Sequence, residues 1–264
     1  FIYIYANIYL MDLEILYKKY NRFELIEPDP LMFVYQYKNT GDREVVALIS
    51  ACFAYGNVKQ IIKNLTGIFA VMGASPQKYL FTKTKQEFKK DFKNFKYRFT
   101  TEEELVNFLV AIKTILEKEN SLENLFYKFY TQGKKDFLFA LNNFCKELRA
   151  YGKVATLVPD PDKKSALKRI NLFLRWCVRK DNVDCGLWTK IPTACLIVPL
   201  DVHMHRNARA LGLTKRNQTD MKTALEISSS LAKFCKKDPI KYDFCITRFG
   251  IHPDFKKKNI KENL

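Results

Sequence analysis

The residues best placed to do chemistry are an amine and a carboxylate 33 positions apart, Lys168 and Asp201. Lys168 and Arg169 stand where a proline- and charge-rich turn, LVPDPDKKSALKR, opens onto an apolar helix, INLFLRWCVRKD. A cation at a helix start opposes the helix dipole, whose positive end lies there. With Lys163, Lys164 and Arg169 adding to that field, a neutral amine at Lys168 is favoured, the form that a Schiff-base nucleophile needs. A solvated turn lysine would carry the same sequence. Lys180 and Lys190 are competing amines, but neither begins a helix.

Asp201 directly precedes the helical run VHMHRNARALGL. A carboxylate there accepts hydrogen bonds from free backbone amides and suits the dipole, so N-capping alone would explain it. Its surroundings suggest more: His203, His205 and Arg206 follow within five residues, and the apolar run CLIVPL ahead would bury the approach. Metal chemistry has little material, because there are three histidines and no two of the seven cysteines have CxxC spacing. Neither a metal nor a cofactor is expected. The scattered cysteines, mostly in apolar stretches, read as buried thiols of a reducing compartment.

The elements that hold these residues read as helices. Nine glycines and nine prolines punctuate the chain, and apolar residues between them recur at three- and four-residue spacing. The first firm helix is REVVALISACFAY, broken at Gly56 before NVKQIIKNLTGIFAVMG. Tyr79 to Phe99, rich in lysine and phenylalanine, reads as an amphipathic surface helix, with a nucleic-acid contact face as the alternative. Thr101 with Glu104 has the spacing of a capping box for EELVNFLVAIKTILEKE. KKDFLFALNNFCKELRAYG, MKTALEISSSLAKFCKK and DPIKYDFCITRFG are further helices, and NVDCGLWTKIPTACLIVPLD is irregular. The expected class is all-α, with residues 11–264 as one two-lobed unit: 40–180 a central helical lobe, and 11–39 plus 181–264 the second, around a cleft.

Residues 1–10, FIYIYANIYL, lack a basic leader and a small-residue cleavage site and are too short to span a bilayer. They are expected to be a disordered arm or an upstream translation artefact, since Met11 begins a helical pattern. Lys+Arg 45 against Asp+Glu 28 gives a net charge of +17, which repels itself unless a polyanion is the usual neighbour. Nucleic acid is the first such partner; a generally basic surface and an anionic membrane are the others.

Three stretches resemble the helix-hairpin-helix base-excision DNA glycosylases, the superfamily of endonuclease III and the 8-oxoguanine glycosylases. PLDVHMHR is similar to the catalytic segment, with Asp201 at the aspartate, His203 at the histidine and Arg206 at the arginine. ALKRINLFL is similar to the hairpin's junction with the next helix, with Lys168 at the lysine nucleophile and Asn171 three residues on. EVVALISACFAYGNVKQIIKNL is similar to the helix pair that opens the core. The likeness covers most of Asp42 to Gly250. Its FLRWxVRxD and PLDxH segments also resemble a bacterial group that carries a domain-of-unknown-function label.

The resemblance implies a DNA-repair glycosylase with AP-lyase activity, acting as a cytoplasmic, nucleoid-associated monomer on double-stranded DNA with a damaged base. It implies that Lys168 forms a Schiff base with Asp201 assisting, and that Trp176 and Trp188 lie near the extruded base, with core packing competing for Trp176 and Phe173. The family's Gly-x-Gly before the lysine is missing here. Phosphate contact then falls to Lys163, Lys164, Ser165, Arg169, His203 and Arg206. The wide spacing from Lys168 to Asp201 lies nearer the archaeal 8-oxoguanine enzymes, the insertion NVDCGLWTKIP accounting for it, and makes 8-oxoguanine the first base to test. No iron-sulfur cluster of the endonuclease III kind is implied, since nothing after Cys245 could ligate iron. A noncatalytic DNA- or RNA-binding protein on the same fold is the alternative.

Overall fold

The structure is a computed structural model that describes residues 13–251, so the arm expected at 1–10 lies outside the described residues. The described chain is mostly helical, and its one sheet is a two-stranded antiparallel hairpin. No described helix is long and apolar enough to cross a membrane. The chain divides into two compact units: residues 29–163 with 187–190, and residues 1–28 with 164–186 and 191–264.

In the unit built on 29–163, a 3-10 turn at Pro30–Gln36 leads to α2 (Thr40–Cys52), which Asn39 caps by accepting from the Gly41 amide at 2.8 Å. Helix α2 is buried along most of its length, from Val45 to Cys52, because its sequence is apolar on every side. Next come α3 (Val58–Met72), α4 (Pro76–Thr82) and α5 (Lys85–Asp91). Gly73 closes α3 with a φ of 72°, where a side chain would be strained.

The surface helix expected over 79–99 is three elements instead. Thr84 stops α4 and starts α5 through a full capping box with Glu87, and Asn94 turns left-handed at φ 63° before the hairpin of β1 (Lys96–Tyr97) and β2 (Thr100–Thr101). Helices α6 (Glu102–Glu119), α7 (Leu122–Gln132) and α8 (Phe137–Arg149) complete the unit, around the clustered rings of Phe126, Phe137 and Phe144. Only half of the capping box expected at Thr101 forms. The Thr101 hydroxyl accepts from the Glu104 amide, but the Glu104 carboxylate accepts instead from the Thr156 amide at 3.1 Å and hydroxyl at 2.9 Å.

The other unit is assembled from separated stretches. Residues 13–20 form a helix, α1, followed by a 3-10 turn at Phe23–Leu25. After the excursion through 29–163 the chain returns as α9 (Lys168–Val178), then α10 (Val202–Ala210), α11 (Met221–Ala232) and α12 (Asp243–Ile251). α10 packs on α12, and the CLIVPL run ahead of α10 is buried from Leu196 to Leu200. The Val198 amide donates to Ser228 of α11 at 3.0 Å, which anchors the approach to Asp201.

Candidate active site

Lys168 is the first residue of α9 and half-buried. The turn before it is unusual. Leu167 is 1% exposed and holds a φ of 48°, in the left-handed region that favours glycine. A leucine there costs about 1–2 kcal/mol, so the surrounding structure must hold it. Ser165 Oγ accepts from the Leu167 amide at 3.2 Å, and the Asn171 side chain donates to the Ala166 carbonyl at 3.0 Å. The left-handed residue ahead of the lysine is thus present without the glycine. Arg169 and Ser165 are half-buried, whereas Lys163 and Lys164 are exposed.

Asp201 caps α10, its Oδ1 accepting from the Met204 amide at 2.7 Å while its carbonyl accepts from His205 N at 2.9 Å. His203 and His205 are half-buried and Arg206 is exposed. The His205 ring is held on the Arg216 carbonyl at 2.9 Å, a tie from α10 to the loop before α11. Lys168 and Asp201 therefore belong to one compact unit, each at the start of a helix.

What fixes these two helices is a buried ionic cluster. Arg175, two turns after Lys168 on the same face of α9, donates through Nη1 to Asp243 of α12 and through Nε to Asp184 at 3.1 Å. Arg179, one turn further, donates to Asp184, to both oxygens of Asp238 at 3.0 and 3.1 Å, and pairs with Asp181 at 2.9 Å. Burial pulls the Arg179 guanidinium down, but Asp184, Asp238 and Asp181 outweigh it and hold the group above its ordinary value. On α10, Asn207 donates to the Ile246 carbonyl of α12 at 2.7 Å. Helix α12 thus holds both α9 and α10.

Burial pushes the Asp243 carboxyl up to about 6; Arg175 opposes the rise, and the negative charges of Asp201 and Asp184 add to it. The arginines gave a signal in the sequence, since two cations at i, i+4 on a largely apolar helix must find buried partners. Which acids they find depends on segments up to 68 residues away.

Both tryptophans of the expected base pocket are buried. Trp176 is 0% exposed, in the core with Phe173. Trp188 is 4% exposed in the unit built on 29–163, its ring tilted against that of Phe126 with centroids 5.8 Å apart. Its indole N–H donates to Glu44 at 2.7 Å, and the same carboxylate accepts from the amides of Leu122 at 3.0 Å and Glu123 at 2.9 Å. Burial raises the Glu44 carboxyl, and these donors offset part of that rise. Glu123 in turn accepts from the amides of Thr189 and Lys190. Residues 187–190 are therefore a strap pinned by Glu44 and Glu123. The strap leaves its flanking segment at Gly186, where a Cβ would come within 2.5 Å of Lys180 Cβ.

One aromatic of the 79–99 stretch stands out on the surface. Phe99, at the tip of the β1–β2 hairpin, is 73% exposed, with the Arg98 guanidinium 5.7 Å from its ring. Hydrogen bonds brace the hairpin on either side of the tip: Tyr55 OH pairs with Thr100 Oγ1 at 2.6 Å, Thr100 with Thr156 at 2.7 Å, and Tyr97 OH donates to the Tyr55 carbonyl.

A cavity of about 430 Å³ opens at the far end of α10, lined by Arg209, Leu211, Leu213 and Phe234 among others, and neither Lys168 nor Asp201 lines it. Among the described residues no group of three or more His, Cys, Asp or Glu side chains is arranged to hold a metal ion. The profile of one family, described as protein of unknown function (DUF2400), matches residues 29–252. No curated protein and no solved structure matches the chain.

Proposed function

We propose, from the premise that this chain belongs to that family, that it is a DNA-repair glycosylase with AP-lyase activity on a helix-hairpin-helix glycosylase-like fold. The observation that carries this is the pairing of two helix starts in one unit: Lys168 after a left-handed Leu167, and Asp201 as the cap of α10, both helices held on α12. Base excision through an imine requires an amine and a carboxylate that meet at the sugar, the roles this reading gives to the two residues.

The damaged nucleotide leaves the stack, at a cost of a few kcal/mol that a lesion lowers. The Lys168 amine bonds to the anomeric carbon as the glycosidic bond breaks, and the base leaves with the electron pair and takes up a proton. Ionised Asp201 steadies the positive charge on the sugar and accepts the proton that the lysine gives up. Ring opening gives the imine, and loss of a proton from the adjacent carbon expels the 3′ phosphate. The partner is double-stranded DNA with one damaged base, 8-oxoguanine first, met by a monomer in the cytoplasm at the nucleoid. Lys163, Lys164, Ser165, Arg169, His203 and Arg206 contact the backbone, and the +17 net charge makes affinity fall steeply with salt. Phe99 beside Arg98 adds an exposed ring suited to insertion between bases.

The buried leucine at 167, where glycine would let a phosphate approach closely, favours one alternative: a noncatalytic DNA- or RNA-binding protein on the same fold. Single-turnover incision of duplexes that each carry one lesion separates the two. Cleavage of one lesion strand that Lys168→Ala loses supports the enzyme. Salt-sensitive binding of every duplex with cleavage of none overturns it in favour of the binder.

A further inference from the structure

The ion pair that joins α9 to α12 has a consequence for Asp201. Arg175 donates from α9 to one oxygen of Asp243, and its remaining nitrogens are held by Asp184 at 3.1 Å. One turn further along α12, the Ile246 carbonyl accepts from Asn207 of α10. Asp243 is 1% exposed, and its Oδ1 has no hydrogen-bond partner. The charged groups around it are Arg175 from α9, Asp184 from the turn after α9, and Asp201 from the start of α10. On α12 itself, Arg248 lies over the ring of Phe244 at 4.2 Å and donates to the Leu25 carbonyl.

We propose that Asp243 is a positioning residue for Asp201 and Lys168. Its carboxylate holds the helix that starts with the amine, on the same α12 that holds the helix starting with the carboxylate, and its charge acts on Asp201. What is positioned rests on the glycosylase reading; the coupling of the two carboxyls does not. When ionised, Asp243 satisfies Arg175 and its negative charge and that of Asp201 repel. When it is protonated, neither holds fully. Its burial places that change near pH 6.

Two measurements test this. The first is the 13C titration of the Asp243 carboxyl in the full chain, for the wild type and for Asp201→Asn, which keeps a good helix cap. The Asp243 midpoint moves to lower pH once the neighbouring negative charge is gone; an unmoved midpoint overturns the coupling whether or not the protein is an enzyme. The second is single-turnover incision of a duplex with one 8-oxoguanine, and of one with an abasic site, from pH 5 to 8.5. Asp243→Asn slows incision about tenfold at pH 7.5 and removes the break near pH 6, with duplex affinity within about twofold of wild type (about 1.4 kcal/mol in the barrier per tenfold). The double variant Arg175→Met/Asp243→Leu, which replaces the pair with apolar groups, behaves alike if Asn at 243 impairs folding. Wild-type rate and profile in both variants overturn the proposal. A wild type that cuts neither duplex counts against the glycosylase reading, and the titration alone then decides the coupling.

Discussion

Arg175 and Asp243 form a buried ion pair between α9 and α12, and Arg175 lies on the same face of α9 as Lys168, about 10 Å further along the axis. Arg175 also serves Asp184, which keeps Arg179, so its loss leaves Asp243 buried without its cation. Arg175→Met is expected to cost about 3–5 kcal/mol at pH 7. The loss shrinks at pH 5, where Asp243 can take up a proton. Urea unfolding at the two pH values measures both, and equal losses would contradict the pairing.

Protonation of Asp243 also makes the stability of the whole protein depend on pH. Its folded value of about 6 lies above the ordinary 3.8, so the folded state holds the proton more tightly than the unfolded chain. The contribution is therefore fully present below pH ~4 and lost as pH rises through ~6. Relative to Asp243→Asn, the wild type should lose up to about 3 kcal/mol between pH 4 and pH 7. A difference that is flat over this range, read from urea unfolding, would mean that Asp243 is ionised throughout.

Trp188→Phe removes the indole donor to a buried carboxylate while keeping most of the ring packing against Phe126. An unsatisfied buried acceptor costs about 1–3 kcal/mol, so unfolding should occur at lower urea by that amount. A side chain whose task was stacking on a base would tolerate phenylalanine with no change in stability.

The helices were legible because their period and caps are local. Asn39, Asn57 and Asp201 each stand where a polar residue precedes an apolar run, and each accepts from the amides of its own helix. The stretch 79–99 misled because its phenylalanines keep helical spacing through a break that Thr84 and Asn94 impose. The setting of Trp188 was hidden for another reason. Trp188 finds its partner in Glu44, 144 residues earlier, and no local pattern records such a meeting. Arg175 and Arg179 are cations on a largely apolar helix, but Asp243 and Asp238 lie in a segment read only as a final helix, which in fact begins at Asp243. That Lys168 and Asp201 stand at helix starts could be read because the signals for those starts are written beside them.

Phe99 lies on the surface, so Phe99→Ala should leave stability within about 0.5 kcal/mol of wild type. If the ring inserts between bases, its loss weakens duplex binding by about 1–3 kcal/mol, and Phe99→Trp retains it. Fluorescence anisotropy at fixed salt gives both numbers. Unchanged affinity in Phe99→Ala would remove the hairpin tip from the DNA contact.

The central claim is that the Lys168 amine bonds to the sugar of a damaged nucleotide. Incubating the protein with an 8-oxoguanine duplex and with an abasic duplex under borohydride, then mapping any adduct by mass spectrometry, tests it most directly. A reduced adduct on Lys168, abolished in Lys168→Ala and slowed in Asp201→Asn, is the predicted result. An adduct on another lysine, or none with either duplex under conditions where the protein binds both, would contradict it.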